Sequence, residues 1–433
     1  MKKQKTPPGL ALRVSAADRL AGVLKGANFA PFSVAEIPDG RDRATANRLI
    51  TTALRRHGQL NVAIARYLDR GIPKKSGPFE ALLRLCLAQL LYLPELGDHS
   101  ALFLAVEATK RDTRSQHLGK LMNAVLRRAQ GEAHFLRGLP LEALFPERLR
   151  TLWAEAYGEA ALEDLGDALL DGAPLDLTLK DDDLALRDAL HASPVLADTV
   201  RVAERDSAVD ALPGFAEGRW WVQDAAAAIP ARLLKLAPGA RVLDLCAAPG
   251  GKTSQLVKAG YNVTALDNDT GRLERMSGNL ARLGYTPTIV EADGLTWRPE
   301  QKFDGVLLDA PCSATGTFRR HPEVIWHRDA ADVAGRVALQ RRFITAAADC
   351  LNPGGVLIYC VCSLEPDEGE DQARWIAEDL AMLEPYPVTA EELDGLAEAV
   401  TADGHVRTWP GLPVPGENGG TLDGFFVARY RRR

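Results

Sequence analysis

Residues 242–253 read Val-Leu-Asp-Leu-Cys-Ala-Ala-Pro-Gly-Gly-Lys-Thr. An apolar strand here runs into a turn of small residues, and the turn is followed by the start of a helix. Small residues let the backbone approach a ligand closely, and the first turn of a helix offers N–H groups that have no partner within the helix. The segment therefore predicts a nucleotide-binding turn at the carboxyl end of a strand in an α/β domain.

Two standard phosphate-binding motifs do not fit this turn. A Walker loop requires a glycine six positions before its lysine, and the residue six positions before Lys252 is Cys246. The dinucleotide fingerprint Gly-x-Gly-x-x-Gly is also absent. A ligand with a nucleoside and a zwitterionic tail remains, and S-adenosylmethionine has this chemistry. The predicted cofactor contacts in the turn are Cys246, Ala247, Ala248, Pro249, Gly250, Gly251 and Lys252.

Two acidic residues after the next strands extend the predicted cofactor site. The second strand ends in Asp267, whose carboxylate can accept hydrogen bonds from both ribose hydroxyls, as the equivalent residue does in dinucleotide folds. The third strand leads to Asp293, which is placed to accept a hydrogen bond from the adenine amino group. Each residue alone could instead cap a helix or stabilise a turn. Their places after successive strands favour the cofactor site.

Strand and helix patterns alternate from Arg219 onward, which predicts a mainly parallel sheet. A last strand at 424–430 follows a loop rich in glycine and proline and could close the sheet in antiparallel orientation. A helix is predicted at 270–283, with Leu273, Met276, Leu280 and Leu283 on its buried face. The other predicted strands are Arg241–Leu245, Asn262–Asp267, Thr288–Glu291, Phe303–Asp309 and Gly355–Val361.

The earlier part of the chain has a different pattern. Apolar residues recur at helical spacing, so we predict an all-α domain over residues 1–140. Residues 141–215 read as a small α+β subdomain, with strands near 175–179 and 199–203 and a helix at 182–191. Residues 216–433 form the predicted Rossmann-like α/β domain. The expected architecture is therefore an all-α domain, a small α+β subdomain and a Rossmann-like α/β domain, in that order along the chain.

Charge is divided unevenly between these parts. The formal net charge is −6, but residues 1–150 contain 25 Lys and Arg against 13 Asp and Glu, and the rest contains 27 against 45. A basic unit joined to an acidic one indicates that the first part binds a polyanion such as RNA. The alternative is a helical surface that happens to be basic.

Composition excludes several classes of protein. A hydrophobic content of 46% and a charged content of 25% are typical of a soluble globular protein. The longest apolar stretch, Ala81–Leu93, is interrupted by Arg84 and Gln89 and is too short to span a bilayer. The basic start is not followed by the apolar run of a secretory signal, so we expect a cytoplasmic protein. We also expect a monomer, although nothing in the sequence fixes the oligomeric state.

Six cysteines occur without the spacing of a disulfide framework, and no Cys-x-x-Cys pair predicts a zinc site. We therefore expect reduced thiols and no metal. Two of the cysteines, Cys312 and Cys362, follow the fourth and fifth predicted strands. Because ligands bind at the carboxyl ends of parallel strands, these two thiols and Asp309 are expected to meet over one pocket.

A thiol is needed when the methyl acceptor is carbon 5 of cytosine, which is a weak nucleophile. Addition of a thiolate at carbon 6 turns carbon 5 into an enamine-like carbon that can attack a sulfonium methyl group. A carboxylic acid that holds N3 and the amino group draws electron density from carbon 6, and Asp309 is placed for that role. Amino-group methyltransferases typically have an Asp/Asn-Pro-Pro-aromatic stretch where Asp309–Cys312 stands. The thiol favours carbon over nitrogen as the target.

Three runs carry a resemblance to a known family. Asp244-Leu-Cys-Ala-Ala-Pro-Gly-Gly-Lys-Thr253, Leu308-Asp-Ala-Pro-Cys-Ser-Ala-Thr-Gly-Thr-Phe-Arg-Arg-His-Pro322 and Tyr359-Cys-Val-Cys-Ser363 resemble motifs I, IV and VI of the RNA 5-methylcytosine methyltransferases. Val222-Gln-Asp-Ala-Ala-Ala227 resembles their lead-in motif. The N-terminal part, including Met122-Asn-Ala-Val-Leu-Arg-Arg128, resembles the NusB-like RNA-binding domain of the RsmB branch, which modifies small-subunit ribosomal RNA.

The resemblance implies a class I methyltransferase domain and a role for each matched residue. Cys362 corresponds to the family nucleophile, and Cys312 to the cysteine that assists release of the methylated base. Cofactor contacts fall on Cys246 to Lys252, Asp267, Asp293 and Asp309. Many members have Ala-Thr where this chain has Cys360-Val361, so a second thiol lies near the nucleophile.

Two other functions stay open at this point. The same chemistry could act on transfer RNA or another RNA, because charge reports phosphate binding and not sequence preference. A non-catalytic RNA-binding or assembly protein could also have kept a decayed methyltransferase domain. The intact Cys362, Cys312, Asp309 and Gly250-Gly251 argue against decay.

Overall fold

The computed structural model describes residues 6–203, 208–414 and 420–433. The chain divides into two compact units. The first, called the helical unit below, comprises Met1–Asp171 and His321–His327. The second, called the sheet unit, comprises Gly172–Arg320 and Arg328–Arg433.

The helical unit confirms the predicted all-α fold. Its central helix is buried from Phe79 to Leu91, as expected for a helix that is apolar on every side. The second helix begins at the cap residue Asp39, whose side chain accepts a hydrogen bond from the Asp42 N–H. The helices are α1 Leu10–Val23, α2 Gly40–Arg55, α3 His57–Tyr67, α4 Phe79–Tyr92, α5 Asp98–Arg111, α6 Gly119–Gly131, α7 Ala133–Arg137, α8 Glu147–Tyr157 and α9 Ala161–Asp171.

The helical unit extends beyond the predicted boundary at residue 140. Helices α8 and α9, which we assigned to the linker subdomain, group with it. Close packing explains the difference, because a Cβ at Gly58 of α3 would lie 2.1 Å from the carbonyl oxygen of Ala143. Trp153 of α8 and Leu165 of α9 are also fully buried. Sequence spacing does not reveal contacts of this kind.

A small antiparallel sheet begins the sheet unit. Its strand order is β2-β3-β1-β4. The predicted strands near 175–179 and 199–203 are present, and the predicted helix 182–191 is shorter. We missed β2 and β4, and β4 lies beyond the expected limit at residue 215. The elements are β1 Leu175–Leu179, α10 Leu184–Ala189, β2 Ala192–Leu196, β3 Thr199–Val202 and β4 Trp220–Val222.

The large sheet has the order β10-β12-β9-β8-β5-β6-β7, and β11 pairs with β12. Neighbours from β9 to β7 are parallel, and β12 is antiparallel to β9, as we predicted. The elements are α11 Ile229–Arg232, β5 Arg241–Leu245, α12 Gly251–Lys258, β6 Asn262–Asp267, α13 Thr270–Leu283, β7 Thr288–Glu291, β8 Phe303–Asp309, α14 Ala330–Asp349, β9 Leu351–Val361, α15 Glu370–Asp379, β10 Leu383–Pro385, β11 Val406–Thr408 and β12 Phe425–Arg432.

Apolar periodicity placed the central elements correctly. Helix α13 has the predicted bounds, and its buried residues are Leu273, Met276, Leu280 and Leu283. Strand β8 is buried over most of its length, which is typical of a parallel strand covered on both faces. Because β5, β8 and β9 are parallel neighbours, the loops that follow them meet at one edge of the sheet. In the part of the chain that the structure describes, no helix combines the length and apolar character that a membrane span requires.

Candidate active site

The turn after β5 is held by tight backbone contacts. The Ala247 N–H donates a hydrogen bond to the carbonyl oxygen of Leu266 on β6 (3.0 Å). Gly250 precedes α12 with a φ of 98°, and a Cβ there would lie 2.5 Å from Cγ of Met276. Glycine is required for both reasons. The turn therefore fixes the position of the first residues of α12.

Asp267 supports the turn from the end of β6. Its buried carboxylate accepts hydrogen bonds from the Ala248 N–H (3.0 Å) and the Asp269 N–H (3.2 Å). The guanidinium of Arg272 lies 3.7 Å from the same carboxylate. Two carboxylate oxygens have about four acceptor sites, so Asp267 keeps capacity for a further donor.

Asp244 is a fully buried carboxyl below the turn. The Thr253 hydroxyl donates a hydrogen bond to Oδ2 (2.6 Å), whereas Oδ1 has no partner among the described residues. Burial raises the pKa of Asp244 to about 7, and the nearby carboxylates of Asp309 and Asp267 act in the same direction. A carboxyl with this pKa is partly protonated at neutral pH.

Lys252 of α12 forms an ion pair with Asp309 at the end of β8. The distance from Nζ to Oδ2 is 2.7 Å, and the side chain of Lys252 is 9% exposed. Burial lowers the pKa of Lys252, but the charge and hydrogen bond of Asp309, together with the nearby thiols of Cys360 and Cys362, outweigh burial, so the pKa is raised overall. The ammonium group is therefore a fixed cation near the thiols of Cys360 and Cys362.

The structure brings the two predicted cysteines together. Strands β8 and β9 are parallel neighbours, and the loops that follow them carry Cys312 and Cys362. The two Sγ atoms are 3.5 Å apart, and both residues are half-buried. The hydrogen bond to Cys362, burial and the nearby acidic groups raise the pKa of Cys312 well above its ordinary value.

Cys360 has a different environment. It is fully buried on β9, where it pairs with Val427 of β12. Its Sγ lies 3.7 Å from Oδ1 of Asp309, and burial, followed by the charge of Asp309, raises the pKa of this thiol. A buried thiol of raised pKa is a poor nucleophile, which favours Cys362 over Cys360.

A cavity of about 380 Å³ lies beside the turn. Five predicted site residues line it, namely Ala247, Pro249, Gly251, Lys252 and Asp309. Asp267, the other turn residues, Cys312 and Cys362 lie outside its lining, so of the predicted catalytic residues Asp309 is the one that lines the cavity. Asp293 is exposed, and its Oδ1 accepts a hydrogen bond from the Leu295 N–H (3.0 Å). That bond is the turn interaction which we had considered as the alternative role of Asp293.

Several residues of the cavity were not expected from the sequence. They are Val222, Gln223, Asp224 and Ala227 of the lead-in motif, together with Phe215, Arg275, Asn279 and Arg282. The last three are spaced four and three positions apart on α13 and therefore share one helix face. That spacing is a signal that could have found them.

Asp224 is fixed by two arginines that follow the Cys312 loop. Arg319 and Arg320 approach its Oδ2 at 3.0 and 2.7 Å, and both also contact Asp423. Burial raises the pKa of Asp224, but the two guanidinium groups outweigh it, so the pKa is lowered overall. This wall of the cavity is therefore rigidly held by paired charges.

The chain was compared with known protein families. Residues 231–431 match the family described as 16S rRNA methyltransferase RsmB/F, and residues 14–131 match the NusB family. A ribosomal RNA small subunit methyltransferase B from Xanthomonas campestris pv. campestris is 37% identical, and the alignment covers 97% of both chains. The protein of the same name from Klebsiella pneumoniae subsp. pneumoniae is 34% identical, with 91% of both chains covered.

Solved structures have a similar fold. The crystal structure of PH0851 covers 100% of both chains, with a TM-score of 0.78 and 21% identity. A methyltransferase homolog protein from Pyrococcus horikoshii covers 67% of this chain and 96% of its own, with a TM-score of 0.55 and 26% identity. NSun6 from Pyrococcus horikoshii, solved with SFG, covers 66% of this chain and 98% of its own, with a TM-score of 0.55 and 18% identity.

Proposed function

Because the chain belongs to the RsmB/F family of 16S rRNA methyltransferases, we propose that it methylates carbon 5 of a cytosine in small-subunit ribosomal RNA. The family resemblance predicted from the sequence is confirmed by the matches to both of its parts. The observation that carries the proposed reaction is the pair of thiols 3.5 Å apart, next to the Asp309 and Lys252 ion pair.

The residues around the cavity fit S-adenosylmethionine. Asp244, Asp267 and Asp309 lie close enough to influence one another, and Oδ1 of Asp244 lacks a partner among the described residues. A ligand with a positive sulfonium and an ammonium group would stabilise the charged form of these carboxyl groups. The turn from Cys246 to Lys252 would hold the cofactor together with Asp267 and Asp293. When bound, S-adenosylmethionine supplies the methyl group.

Cys362 is the proposed nucleophile. Its thiolate adds to carbon 6 of the cytosine, and the electron pair of the 5,6 double bond moves to carbon 5, which accepts the methyl group. A base from solvent then takes the proton from carbon 5, and the electron pair of that bond re-forms the 5,6 double bond as the carbon–sulfur bond breaks and returns the thiolate of Cys362. Two features support Cys362 over Cys360: its half-buried position and its place directly before Ser363, as in the family motif.

Asp309 and Lys252 are proposed to prepare both reactants. The carboxylate of Asp309, which is 32% exposed, can accept a hydrogen bond from the amino group of the cytosine, and one from N3 when that nitrogen is protonated. The ammonium group of Lys252 orients that carboxylate through its 2.7 Å hydrogen bond. The positive charge of Lys252 also interacts with Cys362.

Cys312 is proposed to assist release of the methylated base. Its raised pKa keeps the thiol protonated in the free enzyme, beside the sulfur that leaves carbon 6. The NusB-like part of the helical unit is proposed to bind the RNA, because residues 1–150 carry the basic excess. In the described part of the chain, no cluster of three or more His, Cys, Asp or Glu side chains could hold a metal ion.

Bisulfite sequencing of total RNA tests the substrate. Cells that lack the protein should lose methylation at a cytosine of small-subunit ribosomal RNA, and the native gene should restore it. A gene that encodes Cys362→Ala is the matched control and should not restore it. Loss confined to a transfer RNA would replace the proposed substrate, and unchanged methylation at all sites would overturn the activity.

A further inference from the structure

The two cysteines are each followed by a fully buried serine. Ser313 and Ser363 are the next residues after the two cysteines, and their hydroxyl oxygens lie 3.0 Å apart. The Thr315 hydroxyl lies 3.2 Å from Ser313 and 3.3 Å from Ser363. The Gly316 N–H donates to the carbonyl oxygen of Cys362 (3.1 Å). The loops after β8 and β9 are therefore joined by buried hydrogen bonds.

A buried carboxylate terminates this set of hydroxyls. Glu368 is 0% exposed, and its Oε2 accepts a hydrogen bond of 2.5 Å from the Ser313 hydroxyl. The Ser313 N–H lies 2.9 Å from Oε1 and 3.1 Å from Oε2. Because the Ser313 hydroxyl donates to Glu368, its oxygen can only accept from Ser363 or Thr315. Hydrogen bonds that run in one direction toward a carboxylate strengthen one another.

Glu368 is itself held from two sides. The side-chain amide of Gln340 on α14 donates to Oε1 (2.9 Å) and also to the carbonyl oxygen of Pro311 (3.0 Å), the residue before Cys312. The Tyr359 hydroxyl donates to the backbone carbonyl of Glu368 (2.6 Å). The residues on both sides of Cys312 are thus tied to one carboxylate, and its hydrogen-bond donors are uncharged.

We propose that Glu368 is a positioning residue of the thiol pair, which holds Cys312 beside Cys362 by fixing the peptide N–H and the hydroxyl of Ser313. The proposal rests on the cysteine chemistry described under the proposed function. A carboxylate at this point does two things that an apolar residue could not. It accepts every donor of Ser313, and it places a negative charge near Cys312, which disfavours the thiolate of that cysteine. The two thiols therefore stay chemically different.

The other titratable and charged groups around Cys312 set the background for a test. Asp309 acts in the same direction as Glu368, whereas Arg328, whose Nε donates to the Ser313 carbonyl (3.3 Å), is the cation that faces this thiol. The groups that interact with Cys312 are Cys362, Glu368, Asp309, Tyr359 and Arg328. Of these, Glu368 is the one whose charge can be removed by an isosteric change outside the proposed catalytic residues.

The experiment compares Glu368→Gln with Glu378→Gln, the same change at an exposed position of α15. Alkylation of each thiol by iodoacetamide is followed against pH by mass spectrometry, in the full-length protein without RNA or cofactor. A small-subunit ribosomal RNA transcript and S-adenosylmethionine then serve to measure the lifetime of the covalent protein–RNA species. The pH midpoint for alkylation of Cys312 depends on the charge near that thiol. A purely structural role of Glu368 would not shift this midpoint in a defined direction.

In Glu368→Gln, the midpoint for alkylation of Cys312 should fall by about one pH unit, because a like charge has been removed. The covalent species should persist about tenfold longer. The altered hydrogen bonds to Ser313 hold Cys312 less firmly, and Cys312 assists release of the base. Glu378→Gln should match the native protein in both measurements. A midpoint and a lifetime in Glu368→Gln equal to those of Glu378→Gln would overturn the proposal.

If circular dichroism shows that Glu368→Gln does not fold, Ser313→Ala tests the role of Glu368 instead. This change keeps the carboxylate and the peptide N–H but removes the 2.5 Å hydrogen bond. The covalent species should again persist longer, and a native lifetime would contradict the role of Glu368. If neither the native protein nor Cys312→Ala forms a covalent species, the proposed function fails, while the alkylation profile still decides whether Glu368 controls Cys312.

Discussion

The helical unit and the sheet unit bury different kinds of side chain. In the helical unit, the described buried residues are almost all apolar, and Arg84 and Glu323 are the charged ones among them. The sheet unit buries many charged groups at or near one edge of its large sheet, including Asp244, Lys252, Asp267, Arg319 and Glu368. A buried charge is costly unless it is paired or meets a ligand. The helical unit therefore has an ordinary apolar core, whereas the sheet unit buries charged groups at the candidate active site.

The largest expected effect comes from the two thiols at that edge. Cys362→Ala should stop methyl transfer and leave no protein–RNA species on a denaturing gel, because no bond to carbon 6 can form. Cys312→Ala should still methylate but accumulate the covalent species when RNA and cofactor are both present. The double variant should behave like Cys362→Ala.

The outcome of the cysteine experiment can also reverse the assignment. If Cys362→Ala traps RNA and Cys312→Ala does not, the two roles must be exchanged. Normal turnover by Cys312→Ala without a trapped species would remove Cys312 from the reaction. Cys86→Ala in the helical unit is the matched control, because that thiol is buried in an apolar core and should not affect turnover.

Asp244 should make the stability of the sheet unit depend on pH. Burial raises its pKa from 3.8 to about 7, so the folded state holds a proton that the unfolded state releases. The stabilising contribution is full below the unfolded pKa and is lost as the pH rises through about 7, by up to about 4 kcal/mol. Asp244→Asn should flatten that decline in urea unfolding measured from about pH 5 to about pH 8.

The control for this measurement is Asp349→Asn, at an exposed residue that ends α14. It should keep the pH dependence of the native protein. A native decline in Asp244→Asn would mean that the Asp244 carboxyl is not the group responsible.

Cofactor affinity should distinguish buried from exposed carboxylates. Asp267→Ala should weaken binding of S-adenosylmethionine at least about tenfold, since loss of a buried charged acceptor costs about 1.5 to 3 kcal/mol. Asp293→Ala should have a smaller effect because Asp293 is exposed. Calorimetry on the full-length protein measures both, with Glu274→Gln on the exposed face of α13 as control. Unchanged affinity in Asp267→Ala would exclude that residue from the site.

The smallest expected effect lies in the helical unit, where the cations are at the surface. Neutralising the exposed residues Arg70, Lys74 and Lys75 should reduce the salt dependence of RNA binding, by about 0.7 to 0.9 in the log–log slope for each lost phosphate contact. The probe is a small-subunit ribosomal RNA transcript, titrated at several salt concentrations.

A matched triple variant in the sheet unit provides the control. It neutralises Arg298, Lys302 and Arg342, which are also exposed. If this variant lowers the slope and the helical-unit variant does not, the acidic part of the chain makes the phosphate contacts.

The sequence by itself determined the local elements and the identity of the reactive groups. Helix α13 and strands β5 to β8 have the predicted bounds, because apolar periodicity is set by neighbouring residues. Cys312, Cys362 and Asp309 were found because each follows a strand in a recognisable motif. The limits of the helical unit could not be found in this way, since they depend on the packing of residues near Ala143 against Gly58.

Only the tertiary structure decided which of these groups meet. Strand β8 lies between β5 and β9, so Asp309 stands between Lys252, which follows β5, and the loop of Cys362, which follows β9. Glu368 reaches Ser313 across 55 positions of the chain for the same reason. The order of strands in a sheet arises from long-range packing and not from the spacing of residues along the chain. The sequence could therefore name the thiols, but not the ion pair and the buried carboxylate that hold them in place.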